Sequence, residues 1–161
     1  MNSLKKISQK GFTIVELLIV IVVIGILAAL VITTYNGIQQ KGRNTERTTD
    51  LKAVQGQLEA YYAQNGRYPA NTDLGTTSAA NVTFIQANMK GLDKEALRDP
   101  KGTAADYSLV NGTTATANKY AYEATADAGA TCDNTTNDCT KYTLTAKPEG
   151  SGADIVYNSL N

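Results

Sequence analysis

The longest hydrophobic run of the chain lies near its N-terminus, between Phe12 and Ile32. All of its residues are apolar or glycine except Thr13 and Glu16. A helix of that length spans about 31 Å, which matches the hydrocarbon core of a bilayer. We therefore expect a membrane-spanning helix over residues 12–34. Glu16 requires an explanation, because a carboxylate at the bilayer centre costs about 2.5–3.5 kcal/mol.

Beyond Tyr35, whose ring suits a membrane interface, the pattern changes to that of an amphipathic helix. Apolar residues recur at steps of three and four and predict a stripe that packs on a domain core, namely Leu51, Val54, Leu58, Tyr61 and Tyr62. The charged residues are expected to face solvent or another subunit: Arg43, Glu46, Arg47, Asp50 and Lys52. Asn65 and Gly66, with Pro69 shortly after, predict the end of the helix.

The remaining sequence predicts a small antiparallel sheet, and hence an α+β fold. Residues 71–81 have the composition of a loop, Val82–Met89 suits a short helix, and a turn is expected at Asp99–Gly102. The candidate strands are Ala105–Val110, Lys119–Thr125, Lys141–Lys147 and Ile155–Asn158. Tyrosines on these strands are expected to pack the sheet against the long helix.

Composition narrows the possible functions. The chain has no His and only two Cys, which excludes His-based catalytic triads, His-ligated metals and four-Cys zinc sites. No phosphate-binding glycine motif is present, so we do not expect an enzyme. The formal net charge is zero and no dense basic run occurs, so a nucleic-acid partner is not indicated. Lys5, Lys6 and Lys10 precede the apolar run and predict a cytoplasmic N-terminus and an extracytoplasmic body.

The junction between the basic segment and the apolar run carries a specific motif. It reads Gly11-Phe12-Thr13, then two residues, then Glu16. This resembles the type IV pilin and pseudopilin family, whose members carry a basic leader, a Gly at the cut site, an aromatic residue, Thr and Glu. The resemblance implies the type IV pilin fold: a long N-terminal helix, half transmembrane and half amphipathic, packed on a small antiparallel sheet.

The same resemblance implies the processing and assembly roles. A prepilin peptidase would remove the leader, residues 1–11, by cutting between Gly11 and Phe12, and would methylate the new amino group of Phe12. Residues 12–34 would form the transmembrane or filament-core helix, and residues 35–161 the extracytoplasmic domain. Glu16 would meet the amino terminus of a neighbouring subunit. Thr33 stands near the place where many bacterial pilins have a Pro, so melting of the helix on assembly stays open.

Two cysteines bound a polar loop near the C-terminus. An even Cys count outside the cytoplasm favours a disulfide between Cys132 and Cys139, which would stabilise the fold by about 2.5 kcal/mol. Pilins often bound a surface loop in this way. Some major pseudopilins bind calcium near here, and the loop offers oxygen ligands on Asp133, Thr135, Asn137 and Asp138. A full calcium loop with its Gly and Glu is missing, which favours a polar hairpin tip without a cofactor.

The resemblance leads to a structural function. We expect a subunit that polymerises with itself and other pilins into a type IV pilus for adhesion, twitching motility or DNA uptake. It would be stored in the inner membrane as a single-pass protein, served by a prepilin peptidase and a pilus assembly platform, and would become extracellular in the filament. The alternatives are the major pseudopilin of a type II secretion system, and a membrane-anchored binding domain that never polymerises.

Overall fold

The computed structural model describes residues 11–75 and 77–161, apart from the side chain of Thr33. The expected leader therefore lies outside the described residues except for Gly11. The chain divides into two compact units, one up to Gln39 and the other Gln40–Asn161. The first consists of an apolar helical segment, and the second contains the sheet and the hydrophobic core.

Helix α1, Ile14–Asn65, has the length that the hydrophobic pattern predicts. It ends where expected: Gly66 adopts a positive φ of 71°, and its N–H donates to the carbonyl of Tyr62 at 2.7 Å. A residue without a Cβ adopts this left-handed conformation without strain, which explains why an Asn-Gly pair stops the helix.

The second helix begins earlier than the sequence suggests. Helix α2 spans Ser78–Asn88, because the hydroxyl of Thr77 accepts a hydrogen bond from the Ala80 N–H and caps its first turn. Ile85 and Met89 are both buried. A short 3₁₀ turn at Lys94–Leu97 follows, which the sequence did not indicate.

The sheet has four strands in the order β1-β2-β3-β4: Val110–Asn111, Ala121–Thr125, Lys141–Ala146 and Ile155–Asn158. Strands β2, β3 and β4 are antiparallel, with Tyr122 opposite Leu144 and Leu144 opposite Tyr157. Strand β1 runs parallel to β2, so the sheet is mixed. The α+β pilin-like layout is confirmed, whereas the expectation of a purely antiparallel sheet is wrong.

The expected strand Ala105–Val110 is reduced to its last residue. Ala105 has a positive φ of 62°, and the Asp106 carboxylate accepts hydrogen bonds from the N–H and hydroxyl of Ser108. Such local bonds favour a turn over an extended strand. Strand β2 likewise begins at Ala121, because Asn118 turns the chain with a φ of 70°.

The core of the second unit forms between α1 and the sheet. The predicted stripe of Leu51, Val54 and Leu58 is fully buried, and Tyr61 and Tyr62 pack at its edge. The buried tyrosines also bond through their hydroxyls: Tyr120 donates to Asp50 and Tyr142 to Glu59, each at 2.8 Å. These rings therefore combine hydrophobic packing with polar contacts to the helix, as buried tyrosines usually do.

One expectation for α1 is wrong. Arg47 was expected to face solvent or another subunit, yet its side chain is 1% exposed. Arg43 and Asp50 are also partly buried, while Glu46 and Lys52 are exposed as expected. The reason is that the polar side of the helix faces carboxylates from distant parts of the chain, which allows a guanidinium to be buried with its charge paired.

Candidate functional site

The N-terminal residues that the motif singles out form a helix cap. Residues 11–13 are not helical, and α1 starts at Ile14. The Thr13 hydroxyl accepts a hydrogen bond from the Glu16 N–H at 3.2 Å, and Glu16 Oε2 accepts one from the Thr13 N–H at 2.9 Å. The Thr13 hydroxyl also donates to the same oxygen at 2.6 Å. This is a capping box, in which two unpaired N–H groups at the helix start are satisfied reciprocally.

The capping box gives Glu16 a role within its own chain that the sequence interpretation missed. A Thr followed three residues later by Glu, directly ahead of an apolar run, is the signature that could have revealed it. Within the described residues Glu16 forms no ion pair, and its Oε1 accepts no hydrogen bond. Half of the carboxylate therefore stays available to a donor from outside the chain.

The expected cleavage point lies in this non-helical stretch. Gly11 and Phe12 are both exposed, Phe12 to 79%. A Cβ added to Gly11 would meet no atom within 4 Å, so the described fold does not itself require glycine at that position. If glycine is needed at position 11, the need would come from an enzyme that binds this segment and not from the fold.

The helix that follows is apolar on all its sides. Its large hydrophobic side chains are about half exposed or more, from Val20 at 47% to Ile14 at 85%. Among the described residues, α1 is the one helix long and apolar enough to cross a membrane, and none of its most apolar stretch is buried. A helix with no polar face is suited to lipid or to packing among other helices.

A second polar cluster lies in the compact unit, around Arg47. Its guanidinium binds Asp99 through two hydrogen bonds of 2.6 and 2.9 Å, and both side chains are 1% exposed. Asp99 also accepts from the Lys101 N–H at 2.8 Å, which fixes the Asp-Pro-Lys-Gly turn. Glu149 joins from the loop after β3 and binds Arg43 at 2.5 and 2.7 Å. The Arg43 guanidinium lowers the pKa of the Glu149 carboxyl to about 2, so this carboxylate is charged at neutral pH.

The cysteines form a disulfide, with their Cα atoms 5.2 Å apart. The loop that they close packs on the segment leaving α1. Tyr68 N–H donates to the Cys139 carbonyl, and Asn134 Nδ2 donates to the Tyr68 carbonyl, each at 2.8 Å. Arg67 pairs with Asp138 at 3.2 Å. The bridge therefore holds the exit of the helix against the sheet.

The calcium candidates in this loop do not form a ligand set. Asp133 accepts hydrogen bonds from the N–H groups of Thr136 and Thr135 at 2.7 and 2.8 Å, and these bonds hold the pKa of its carboxyl well below the usual range. Asp138 is turned to Arg67. Within the described residues, no three His, Cys, Asp or Glu side chains come together as a metal-binding group. As folded, both carboxylates of the loop are engaged within the chain, Asp133 by hydrogen bonds and Asp138 by an ion pair.

Together the capped apolar helix, the exposed Gly-Phe junction and the α+β compact unit define a pilin-like membrane-anchored protein. Residues 6–32 match the family described as the prokaryotic N-terminal methylation motif. The predicted resemblance to type IV pilins and pseudopilins is thereby confirmed.

Comparison with curated proteins identifies the relatives. The chain is 34% identical over 108 residues to type II secretion system core protein G of Escherichia coli (strain K12), covering 64% of this chain and 72% of that protein. It is 32% identical over 108 residues to the protein of the same name in Klebsiella pneumoniae, covering 64% and 75%. For the Dickeya chrysanthemi protein of that name the identity is 39% over 107 residues, covering 64% and 69%. The chain belongs to the family of type II secretion system core protein G. No solved structure matches it.

This finding corrects the functional expectation. The three relatives above are named for type II secretion, so the prediction of a pilus subunit is wrong. The alternative, the major pseudopilin, agrees with the relatives.

Proposed function

We propose that the chain is the major structural subunit of a type II secretion pseudopilus and is not an enzyme. The observation that carries the proposal is the all-round apolar helix beginning at the Gly-Phe-Thr-x-x-Glu junction, in a chain whose relatives bear that system's name. Copies of such a helix bundle together when they leave the membrane, because each has apolar surface on every side. A prepilin peptidase would act first, at the bond between Gly11 and Phe12.

Glu16 would direct the assembly. Cleavage would turn the Phe12 nitrogen into a cation, and Glu16 Oε1 is free to accept a hydrogen bond from a neighbouring chain. Two unit charges at about 4 Å attract by about 4 kcal/mol at an effective dielectric near 20. A neighbour at the wrong height leaves both charges unpaired in an apolar environment, so the pair selects the register of the helices.

The proposed topology follows from charge and redox chemistry. The lysines before the apolar run support a cytoplasmic N-terminus. The Cys132–Cys139 disulfide suits a compact unit in an oxidising compartment on the other side of the membrane. The membrane would store the subunit, and an assembly platform would withdraw it.

One observation favours a second function, a monomeric membrane-anchored domain. The capping box uses Glu16 within a single chain, so a glutamate in this position is useful even to a protein that never polymerises. The presence of Glu16 alone therefore does not separate the two functions.

Two substitutions separate the charge of Glu16 from its capping role. Glu16→Gln keeps an oxygen that can accept from the Thr13 N–H but removes the charge, whereas Thr13→Ala removes the capping hydroxyl and keeps the charge. Each variant would replace the native protein in its host. Protein released to the medium would measure secretion, and a photo-crosslinking residue at the exposed position Ile24 would report contacts between copies.

We expect Glu16→Gln to abolish the crosslinked ladder and secretion, while Thr13→Ala retains most of both. Mass spectrometry of the mature N-terminus serves as a control, because both variants should still be cut after Gly11. A native chain that gives no ladder, or Glu16→Gln cells that secrete normally, would refute the polymer and support the monomeric anchor.

A further inference from the structure

The middle of α1 consists of residues that form helices poorly. Between positions 33 and 49 the chain contains Thr33, Thr34, Asn36, Gly37, Gly42, Asn44, Thr45, Thr48 and Thr49. Each Gly costs about 1 kcal/mol relative to Ala, and each Thr or Asn up to about 0.7 kcal/mol. The hydroxyls of Thr45 and Thr48 also bond the carbonyls four residues earlier, which weakens a helix further. This part of α1 needs contacts from elsewhere to stay helical.

Inside the compact unit, that support comes from the loop between β3 and β4, residues 147–154. Glu149 binds the Arg43 guanidinium through both carboxylate oxygens. Its backbone forms a reciprocal pair with Asn44: the Glu149 N–H donates to Asn44 Oδ1 at 2.9 Å, and Asn44 Nδ2 donates to the Glu149 carbonyl at 3.2 Å. One loop residue therefore holds Arg43 and Asn44 by four hydrogen bonds. Its Oε1 also accepts longer hydrogen bonds from the Arg47 guanidinium, at 3.3 and 3.4 Å, so the loop reaches the edge of the buried pair.

The contacts along this part of the helix differ in how well they are shielded from water. The Arg47–Asp99 pair is 1% exposed on both sides, so salt screens it little. The Glu149 cluster is more accessible, with side-chain exposures of 18% for Glu149, 28% for Arg43 and 51% for Lys101. The outer contact is therefore open to competition from dissolved ions, and the inner one is protected.

The loop carries two glycines next to its contact with the helix. Gly150 has a φ of 90°, a conformation that glycine adopts without strain, and Gly152 follows two residues later. A Cβ on Gly150 would also come within 2.8 Å of Gln40 Nε2, so the loop approaches the helix closely where it crosses it. The two glycines provide flexible joints directly beside the residue that binds the helix.

We propose that the β3–β4 loop is a releasable strap on α1, in which Glu149 keeps residues 40–46 helical and the buried Arg47–Asp99 pair marks where unwinding stops. Seven helical residues span about 10 Å, whereas the same residues extended reach at most about 25 Å. Opening the strap therefore lengthens the connection between the apolar helix and the compact unit. Resting on the proposed function, this adjustable length would let the compact unit settle after the apolar helices have packed.

Hydrogen exchange of the full chain, monomeric in detergent micelles, tests the strap. Glu149→Gln removes the charge with little change of shape, and Glu123→Gln on β2 is the control, because Glu123 forms no ion pair in the described part of the chain. We expect amides 40–46 to exchange about tenfold faster in Glu149→Gln, with amides 51–62 unchanged. The control should exchange as the native chain does.

Two results would overturn the proposal. Equal protection of residues 40–46 in Glu149→Gln and the native chain would show that the loop does not hold them. Equal loss of protection through to Asn65 would show that Glu149 stabilises the whole unit and not a local segment.

A salt series on the native chain gives a second test that needs no substitution. Raising NaCl from about 0.02 M to about 0.5 M shortens the Debye length from roughly 20 Å to roughly 4 Å. Residues 40–46 should lose protection and residues 51–62 should not; identical protection at both concentrations would contradict a releasable strap. Because the micelles contain monomers, a failed pseudopilus assignment would leave this result standing.

Discussion

Removing one partner of the buried Arg47–Asp99 pair should destabilise the compact unit strongly. Asp99→Asn leaves the guanidinium in place with both of its strongest acceptors weakened, in a site where each side chain is 1% exposed. Breaking a buried pair in this way costs about 3–5 kcal/mol, because the buried guanidinium loses its bidentate carboxylate and keeps only Glu149 at 3.3 Å as an anionic partner. A domain of this size has a total stability of about 5–15 kcal/mol, so the loss is a large fraction.

The net contribution of the Arg47–Asp99 pair to stability should also be smaller than the free energy lost when one partner is removed. Arg47→Met combined with Asp99→Asn removes the charge on both sides and fills the site with apolar volume. We expect the double variant to be less destabilised than the sum of the two single variants by about 2 kcal/mol or more, since neither group is left as an unpaired charge. Glu149 is unchanged in these variants, and we expect it to stay paired with Arg43, although Arg47→Met removes its 3.3 Å contact with the guanidinium of Arg47.

Urea unfolding of the full chain in micelles, followed by tyrosine fluorescence, measures these differences. The chain has nine Tyr and no Trp, and the buried rings of Tyr120, Tyr122 and Tyr142 report on the compact unit. With a slope of about 1.5 kcal/mol per M, Asp99→Asn should lower the midpoint by about 2–3 M. A loss below about 1 kcal/mol, or strict additivity in the double variant, would refute the argument that this pair is buried and coupled.

Two further predictions concern the same unit. Replacing Cys132 and Cys139 with Ser should lower the free energy of unfolding by about 2.5 kcal/mol, and an unchanged urea midpoint would show that the bridge does not constrain the unfolded chain. Burial raises the pKa of the Asp50 carboxyl from 3.8 to about 6, so its protonated form is favoured by folding. This contribution to stability is complete below about pH 4 and is lost as the pH rises through 6. Relative to Asp50→Asn, the native chain should therefore have a free energy of unfolding about 1 kcal/mol higher at about pH 5 than at about pH 7. Parallel pH profiles of the two proteins would contradict this prediction.

Local patterns were sufficient to predict much of the fold. The end of α1, the buried stripe, β3, β4 and the buried face of α2 all follow from periodicity and from a few turn residues. Strand β1 was mispredicted because Asp106 binds Ser108 locally, and because a strand of two residues carries no alternation that a sequence could show. Its parallel pairing with β2 depends on the path of the chain between the two strands, and hydrophobic periodicity gives no information about that path.

The ion pairs were missed for a different reason. Arg47 and Asp99 are separated by 52 positions, and each alone is typical of a solvated surface. Burial of a charge becomes favourable only when a partner arrives with bidentate geometry, which is a property of the tertiary structure. The Asp-Pro-Lys-Gly turn was recognised as a turn, but nothing in its sequence indicates that its first carboxylate points inward to a helix.

Glu16 was recognised as important, but on an incomplete argument. A charge in an apolar run predicts a partner in another subunit, whereas Thr13 already gives Oε2 two hydrogen bonds within the chain. Those bonds lower the cost of storing a single copy in the membrane, so a later pairing with a neighbour's amino group gains less than the 4 kcal/mol or so of the simple Coulomb estimate. What the pairing retains in full is its dependence on position, since a neighbour at the wrong height leaves both charges unpaired. In the proposed pseudopilus, Glu16 would therefore act more through the register of the helices than through the strength of their association.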